Sequence, residues 1–165
     1  MGRIDKENYY LDIAQTVAGR STCLRRCYGA ILVKSDEIIS TGYNGAPRGR
    51  RNCVDLNYCT REALNIPSGE RYGLRRSVRA EANAIISAAR SEALGATLYM
   101  ACVEPDTGTL IPGSTSCSMC RRVIINAGID RVVIRNTKQD YSVVHVEDWI
   151  REDDSLPRKT DGGKD

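Results

Sequence analysis

Ser77-Val78-Arg79-Ala80-Glu81-Ala82-Asn83-Ala84-Ile85, taken together with Ser116-Cys117-Ser118-Met119-Cys120, decides how the rest of this chain is read. The first stretch opens the alanine-rich segment Ala80 to Leu94, in which Ile85, Ile86 and Ala89 share a face, and it predicts a helix starting close to Glu81. The second opens another helix, Cys117 to Asn126, which Ser116 can cap and Gly128 can stop. Cys117 and Cys120 put both sulfurs on one side of a first turn, where the helix dipole favours thiolates. One reading is a metal pair with Glu81 as the proton carrier. The bland reading is a redox pair or two reduced core cysteines, with Glu81 merely an acid placed well at a helix start.

Working outward, Lys6 to Arg20 places Tyr10, Leu11, Ile13, Ala14 and Val17 on one helical face. Ala30 to Val33 and Ile38 to Tyr43 are short apolar runs around Lys34-Ser35-Asp36-Glu37 and predict a β-hairpin. Asn44 to Ser77 is rich in Gly, Pro, Arg and Asn, which predicts a long functional or metal-stapled loop where ligands bind. Thr97 to Val103 and Arg131 to Ile134 are strands. Hairpin, helix, strand, helix, strand is an α/β order with helices covering a mixed sheet. Residues 1–152 make one domain, and residues 153–165, charged with Pro157 and Gly162-Gly163, read as a disordered tail.

Composition bounds the function. With 24 basic and 21 acidic residues the net charge is only +3, and neither a membrane surface nor a nucleic-acid stripe is indicated. No leader or long apolar run is present, which points to the cytoplasm. Seven cysteines, two of them as C-x-x-C, favour metal or redox use over a disulfide framework there.

The pattern H-x-E…P-C-x-x-C marks zinc nucleobase deaminases, in which a His and two Cys hold the metal and the Glu moves protons. This chain carries the Glu and both Cys, with Arg79 at the His position and Ser116 at the Pro position. Five segments widen the match: Arg20 to Arg26, Thr41-Gly42-Tyr43-Asn44-Gly45-Ala46-Pro47, Ser68 to Tyr72, Ala80 to Ile86 and Cys117 to Ile129. Over residues 5–135 the chain resembles the deoxycytidylate (dCMP) deaminase family. That resemblance implies a three-layer α/β/α cytidine-deaminase-like fold with a mixed central sheet, a homo-oligomer, and hydrolysis of dCMP to dUMP and ammonia. It also implies a deoxycytidine nucleotide as ligand, with dCTP and dTTP as effectors in some members.

Carried over by position, Glu81 is the proton shuttle and Cys117 and Cys120 are two ligands of a catalytic zinc. Asn44 would hold the sugar, Arg25 or Arg26 the 5′-phosphate, and Ala80 belongs with the substrate-contacting positions. Gly42, Tyr43 and Gly45 correspond to the effector region. A basic group of Arg25, Arg26, Arg48, Arg50 and Arg51 beside Asn44 either favours an anionic ligand or is a solvated face.

Three positions depart from the family pattern. Arginine stays protonated and offers no lone pair, so Arg79 cannot replace an imidazole as a zinc ligand. His145, the only histidine, follows the last clear strand and reads as a surface group; Glu81, Cys102 or water would have to complete the metal's donors. Arg75 stands where relatives often place a ligand of a second, structural zinc, and Cys27 enters the same region, so Cys23, Cys27, Cys53 and Cys59 are a candidate four-sulfur site. The alternative is unliganded cysteines around a loop. For Arg79 three outcomes stand: a metal-free cluster with the two thiolates, a pocket repurposed for nucleotide binding or another reaction, or a substitution in an otherwise ordinary enzyme. The functional alternatives are therefore a dCMP deaminase impaired by Arg79, a catalytically silent nucleotide-binding or regulatory relative, and a repurposed pocket acting on another nucleotide.

Overall fold

The computed structural model describes residues 2–156. Helix α1 (Lys6–Ala18) starts at Asp5, whose carboxylate accepts from the Asn8 N–H at 2.9 Å. Strands β1 (Cys27–Lys34) and β2 (Glu37–Tyr43) form the expected antiparallel hairpin; Ser35 and Asp36, both at positive φ, make its two-residue turn. The long loop holds two single-turn helices, α2 (Cys53–Leu56) and α3 (Thr60–Ala63), and a 3₁₀ turn at Tyr72–Leu74. Then follow α4 (Ala80–Ile86), α5 (Arg90–Ala93), β3 (Thr97–Val103), α6 (Ser118–Ala127), β4 (Arg131–Arg135), β5 (Tyr141–His145) and α7 (Val146–Arg151).

The strands lie in the order β2-β1-β3-β4-β5, and only β3 and β4 run parallel, with α6 in the crossover between them. The pleat divides the core. Ile31, Val33, Tyr99, Ala101 and Val133 pack on α1, whereas Ala30, Leu32, Leu98, Met100, Val132 and Ile134 pack against α4 and α6. The architecture is thus the α/β/α layering the sequence predicts. Buried Arg135 ties α1 to β4 through Asp12 at 2.6 Å and Gln15 at 2.9 Å.

Several expectations change. The single helix predicted over Ala80–Leu94 breaks after Ile86: Glu92 turns its carboxylate back to the Ala89 N–H at 3.3 Å and starts α5 afresh. Strand β5 was not read from the sequence, because its side chains are mostly exposed and its place is secured by pairing with β4. Ser116 does not cap α6; Cys117 stands at that N-cap and the Ser116 hydroxyl turns to Glu81. Of the predicted tail, residues 157–165 lie outside the described residues, while Asp154 approaches Arg121 at 3.5 Å.

Two glycines let helices ride directly on the sheet. A Cβ on Gly29 would stand 2.0 Å from the Ala14 carbonyl oxygen, and one on Gly42 would stand 2.4 Å from both Ala80 O and Ala84 N. Position 42, carried over as part of an effector region, is therefore where β2 receives α4. Replacing Gly29 by Ala forces backbone against backbone, and we expect a loss of about 3 kcal/mol or more in unfolding free energy, measured by chemical denaturation.

Candidate active site

The site lies where the starts of α4 and α6 meet. Gly45 and Val78 exchange backbone hydrogen bonds of 3.2 and 2.8 Å, closing the base of the long loop and delivering the next residue, Arg79, as the N-cap of α4. Glu81 follows in the first turn and is 0% exposed. Its Oε1 accepts from the Ser116 hydroxyl at 2.8 Å and lies 3.6 Å from Arg79 Nη2; its Oε2 is buried without a partner. Ser116 is a contact that sequence reasoning missed. Its departure from the family's Pro was the available signal, because it adds a hydroxyl donor.

Arg79 has a side chain only 11% exposed, and its guanidinium lies 5.0 Å over the Tyr28 ring. Burial opposes its charge, but Glu81 and the thiols of Cys117 and Cys120 outweigh that and raise its pKa above the ordinary arginine value. The Cys117 and Cys120 sulfurs share a hydrogen bond. That bond, assisted by the Cys120 backbone N–H and by Arg79, holds Cys117 down to about 5 against its burial, and the same bond pushes Cys120 up. The old metal corner is therefore a guanidinium set among a carboxylate and two sulfurs.

These residues do not fit a catalytic zinc. Position 79, where the resemblance leads one to expect the third donor, carries a guanidinium that has no lone pair to give and stands 3.6 Å from Glu81. Cys102 does not supply that donor: this buried thiol faces Tyr28 and Ser114, and burial raises its pKa. His145 is exposed at the far end of β5. Among the described residues no three His, Cys, Asp or Glu side chains converge as a metal site. Of the candidate four-sulfur group, Cys23, Cys53 and Cys59 line one cavity, and Cys27 is buried at the first position of β1, near Ser21, Cys23 and Glu104.

An arginine staples the loop. Arg61 is 3% exposed and donates to the carbonyls of Pro67, Glu70 and Arg71 at 2.8, 2.7 and 3.1 Å. Its guanidinium and that of Arg75 lie 5.3 and 5.2 Å from the Tyr72 ring centre. These residues border a cavity of about 600 Å³ that reaches from Cys23, Arg25 and Arg26 to Arg79, Ser116 and Cys117. Arg25 and Arg26 are in it, paired with Glu62 at 3.8 Å and Glu104 at 2.9 Å. Arg48, Arg50 and Arg51 are exposed and outside it; Arg61, Arg75, Arg76 and Arg121, absent from the basic group read in the sequence, take their place on the walls.

Asn44 also borders the cavity, but its side chain is committed. Its Oδ1 accepts from Ser21 Oγ at 2.6 Å and the Tyr28 N–H at 2.8 Å, and its Nδ2 donates to the Arg26 carbonyl at 2.8 Å. Ala80 is wholly buried beneath the site and Tyr43 is exposed outside the cavity. Gly45 packs on Thr22, where a Cβ would come within 2.7 Å of the hydroxyl.

The fold and the paired helix starts define a cytidine-deaminase-like protein, and comparison with known proteins makes the family specific. Residues 4–136 match the cytidine and deoxycytidylate deaminase zinc-binding region, and the chain belongs to that family. It is 38% identical over 138 residues to deoxycytidylate deaminase of Mycobacterium phage D29, covering 81% of this chain and 96% of that one. It is 32% identical to the deoxycytidylate deaminase of Enterobacteria phage T4, covering 80% and 78% of the two chains. The crystal structure of dCMP deaminase from cyanophage S-TIM5 in complex with dCMP and dUMP superimposes with a TM-score of 0.54 at 23% identity, covering 82% of this chain and 85% of that one, which shows the shared fold. The family binds zinc; the donors at this chain's own centre have changed.

Two measurements check this geometry. Arg61→Leu should cost about 2–4 kcal/mol and open the 46–77 loop to limited proteolysis, because three carbonyls lose a charged donor. Alkylation of Cys117 by iodoacetamide, followed by mass spectrometry, should titrate with a midpoint near 5, so its rate stays level from about pH 6 to 8 where an ordinary thiol's rises steeply.

Proposed function

We propose that this protein is a dCMP-deaminase-type protein whose arginine-lined cavity binds a pyrimidine deoxynucleoside monophosphate. The reaction of its lineage is hydrolytic deamination of dCMP to dUMP and ammonia, and Arg79 holds that reaction back. The relatives named deoxycytidylate deaminase support the reaction, that of Mycobacterium phage D29 by matching over nearly its whole length. The cavity supports the ligand: its volume of about 600 Å³ suits a mononucleotide, and its walls carry arginines with few opposing carboxylates.

The observation that carries the restraint is the Arg79–Glu81 pair. Glu81 has no exposed surface, does not border the cavity, and already accepts from Ser116 while facing the guanidinium. A base that moves protons must reach the reacting group directly or through one water. Arg79 and Ser116 cover this one. The cavity therefore retains the binding half of the family's chemistry, with its proton carrier enclosed and its metal donors incomplete.

Assembly into a homo-oligomer is part of the same proposal. It is supported by apolar side chains left exposed on α4 and α6, Ile86 at 75%, Met119 at 44% and Val123 at 43%. Response to dCTP or dTTP through the Gly42–Gly45 segment would act on the backbone that positions Arg79, since Gly45 pairs with Val78. Among the described residues no helix is long and apolar enough to cross a membrane.

The test is dCMP turnover with zinc content measured on the same samples, for the natural chain and for Arg79→His. The natural chain should hold substoichiometric zinc at Cys117 and Cys120 and turn over at least about a hundredfold more slowly than the variant, a larger effect than loss of an outer-shell partner produces. Equal turnover of the two would overturn the restraint assigned to Arg79.

A further inference from the structure

We infer that the base end of the cavity selects a 4-oxo pyrimidine, the uracil or thymine of dUMP or dTMP, over the 4-amino ring of dCMP. This rests on the nucleotide-binding reading above and goes beyond it. Arg79 is on the cavity wall and Glu81 is not, so a ligand meets the guanidinium and not the carboxylate. The guanidinium has a donor to spare: Nη2 stands 3.6 Å from Glu81 Oε1, beyond hydrogen-bonding range, whereas its Nε, also unpartnered, is buried out of a ligand's reach. A guanidinium only donates. What it wants from a ligand is an acceptor.

The orientation of the ligand follows from charge. Arg79 is already opposed by the Glu81 carboxylate, so its corner has little net attraction for a phosphate dianion. The wall built from the long loop differs. Arg61 is spent on backbone carbonyls, Arg76 donates to the Arg51 carbonyl at 2.9 Å, and Arg75 lies over Tyr72; none of the three has a carboxylate within salt-bridge range among the described residues. The phosphate goes to that wall. The sugar and ring then extend toward Arg79, and the edge of a pyrimidine farthest from its glycosidic bond carries the substituent at C4.

That substituent separates the two rings. Uracil and thymine place a carbonyl acceptor at C4, whereas cytosine places an amino donor there. Oxygen against Arg79 completes a charge-assisted hydrogen bond. An amino group leaves two donors facing each other in a half-closed corner, and a site built to hydrogen-bond one group rejects a ligand that cannot answer it. In this chain the residue at position 79 thus shifts the pocket from the amino substrate of its relatives' reaction toward the oxo product.

Calorimetric titration with dUMP, dTMP, dCMP, the deoxynucleotide of pyrimidin-2-one, which lacks any group at C4, and inorganic phosphate tests this. Chromatography of the recovered nucleotides checks that dCMP is intact. The natural chain should bind dUMP and dTMP about 10- to 100-fold more tightly than dCMP, with the unsubstituted ring between them. In Arg79→Met, with its circular dichroism unchanged, the dUMP-to-dCMP ratio should fall toward one. Binding of dCMP as tight as dUMP, or of the unsubstituted ring as tight as dUMP, overturns the inference and leaves the nucleotide pocket standing. The second comparison needs no variant to fold. No nucleotide binding beyond that of inorganic phosphate overturns the pocket reading, and the inference with it.

Discussion

A carboxylate with no exposed surface needs a cation or a full set of donors, and at Glu81 the structure supplies Arg79 and one serine hydroxyl. Breaking a buried pair by removing one partner is far more costly than the pair is stabilising, so each member constrains what can stand at the other's position. The pair also fixes the space around it. Arg79 must remain at the start of α4 with its guanidinium between Tyr28 and the α6 thiols, and that places a permanent positive charge at the centre of the site. A divalent cation at the same place would meet that charge directly.

The scaffold that holds this pair in register is made of close backbone contacts. Gly42 lets α4 rest on β2, and the Gly45–Val78 bridge ties the far end of the long loop to the end of β2. The parallel β3–β4 pair requires a crossover, and α6 supplies it, bringing Cys117 beside α4. The loop between these anchors is long enough to be mobile. It is organised instead by one buried arginine that satisfies three carbonyls. Arginine thus performs two tasks here: Arg79 balances the thiols and Arg61 staples the loop.

Reading the chain in sequence found the two helix starts, the hairpin, the central strands and the family to which they belong, because the apolar periods and the C-x-x-C spacing are local features. It also found the incompatibility of Arg79 with zinc, which is a property of the side chain itself. The four cysteines are divided between two places: Cys23, Cys53 and Cys59 border the cavity, and Cys27, a neighbour of Cys23, begins strand β1. The structure divides the basic group. Arg25 and Arg26 enter the cavity, but Arg48, Arg50 and Arg51, nearer to Asn44 in sequence, point elsewhere, while Arg61, Arg75, Arg76 and Arg121 arrive from other segments.

What the sequence alone determined is the inventory: an α/β chain of the deaminase family, a glutamate and two cysteines at helix starts, and an arginine two residues before that glutamate. What only the tertiary structure decided is where that cation lies. Its position depends on a backbone bridge between residues 33 apart in sequence, on the Tyr28 ring one strand away, and on a serine contributed by another helix's approach. None of these leaves a local periodic signal, because long-range contacts are set by how elements pack and not by the spacing within any one of them.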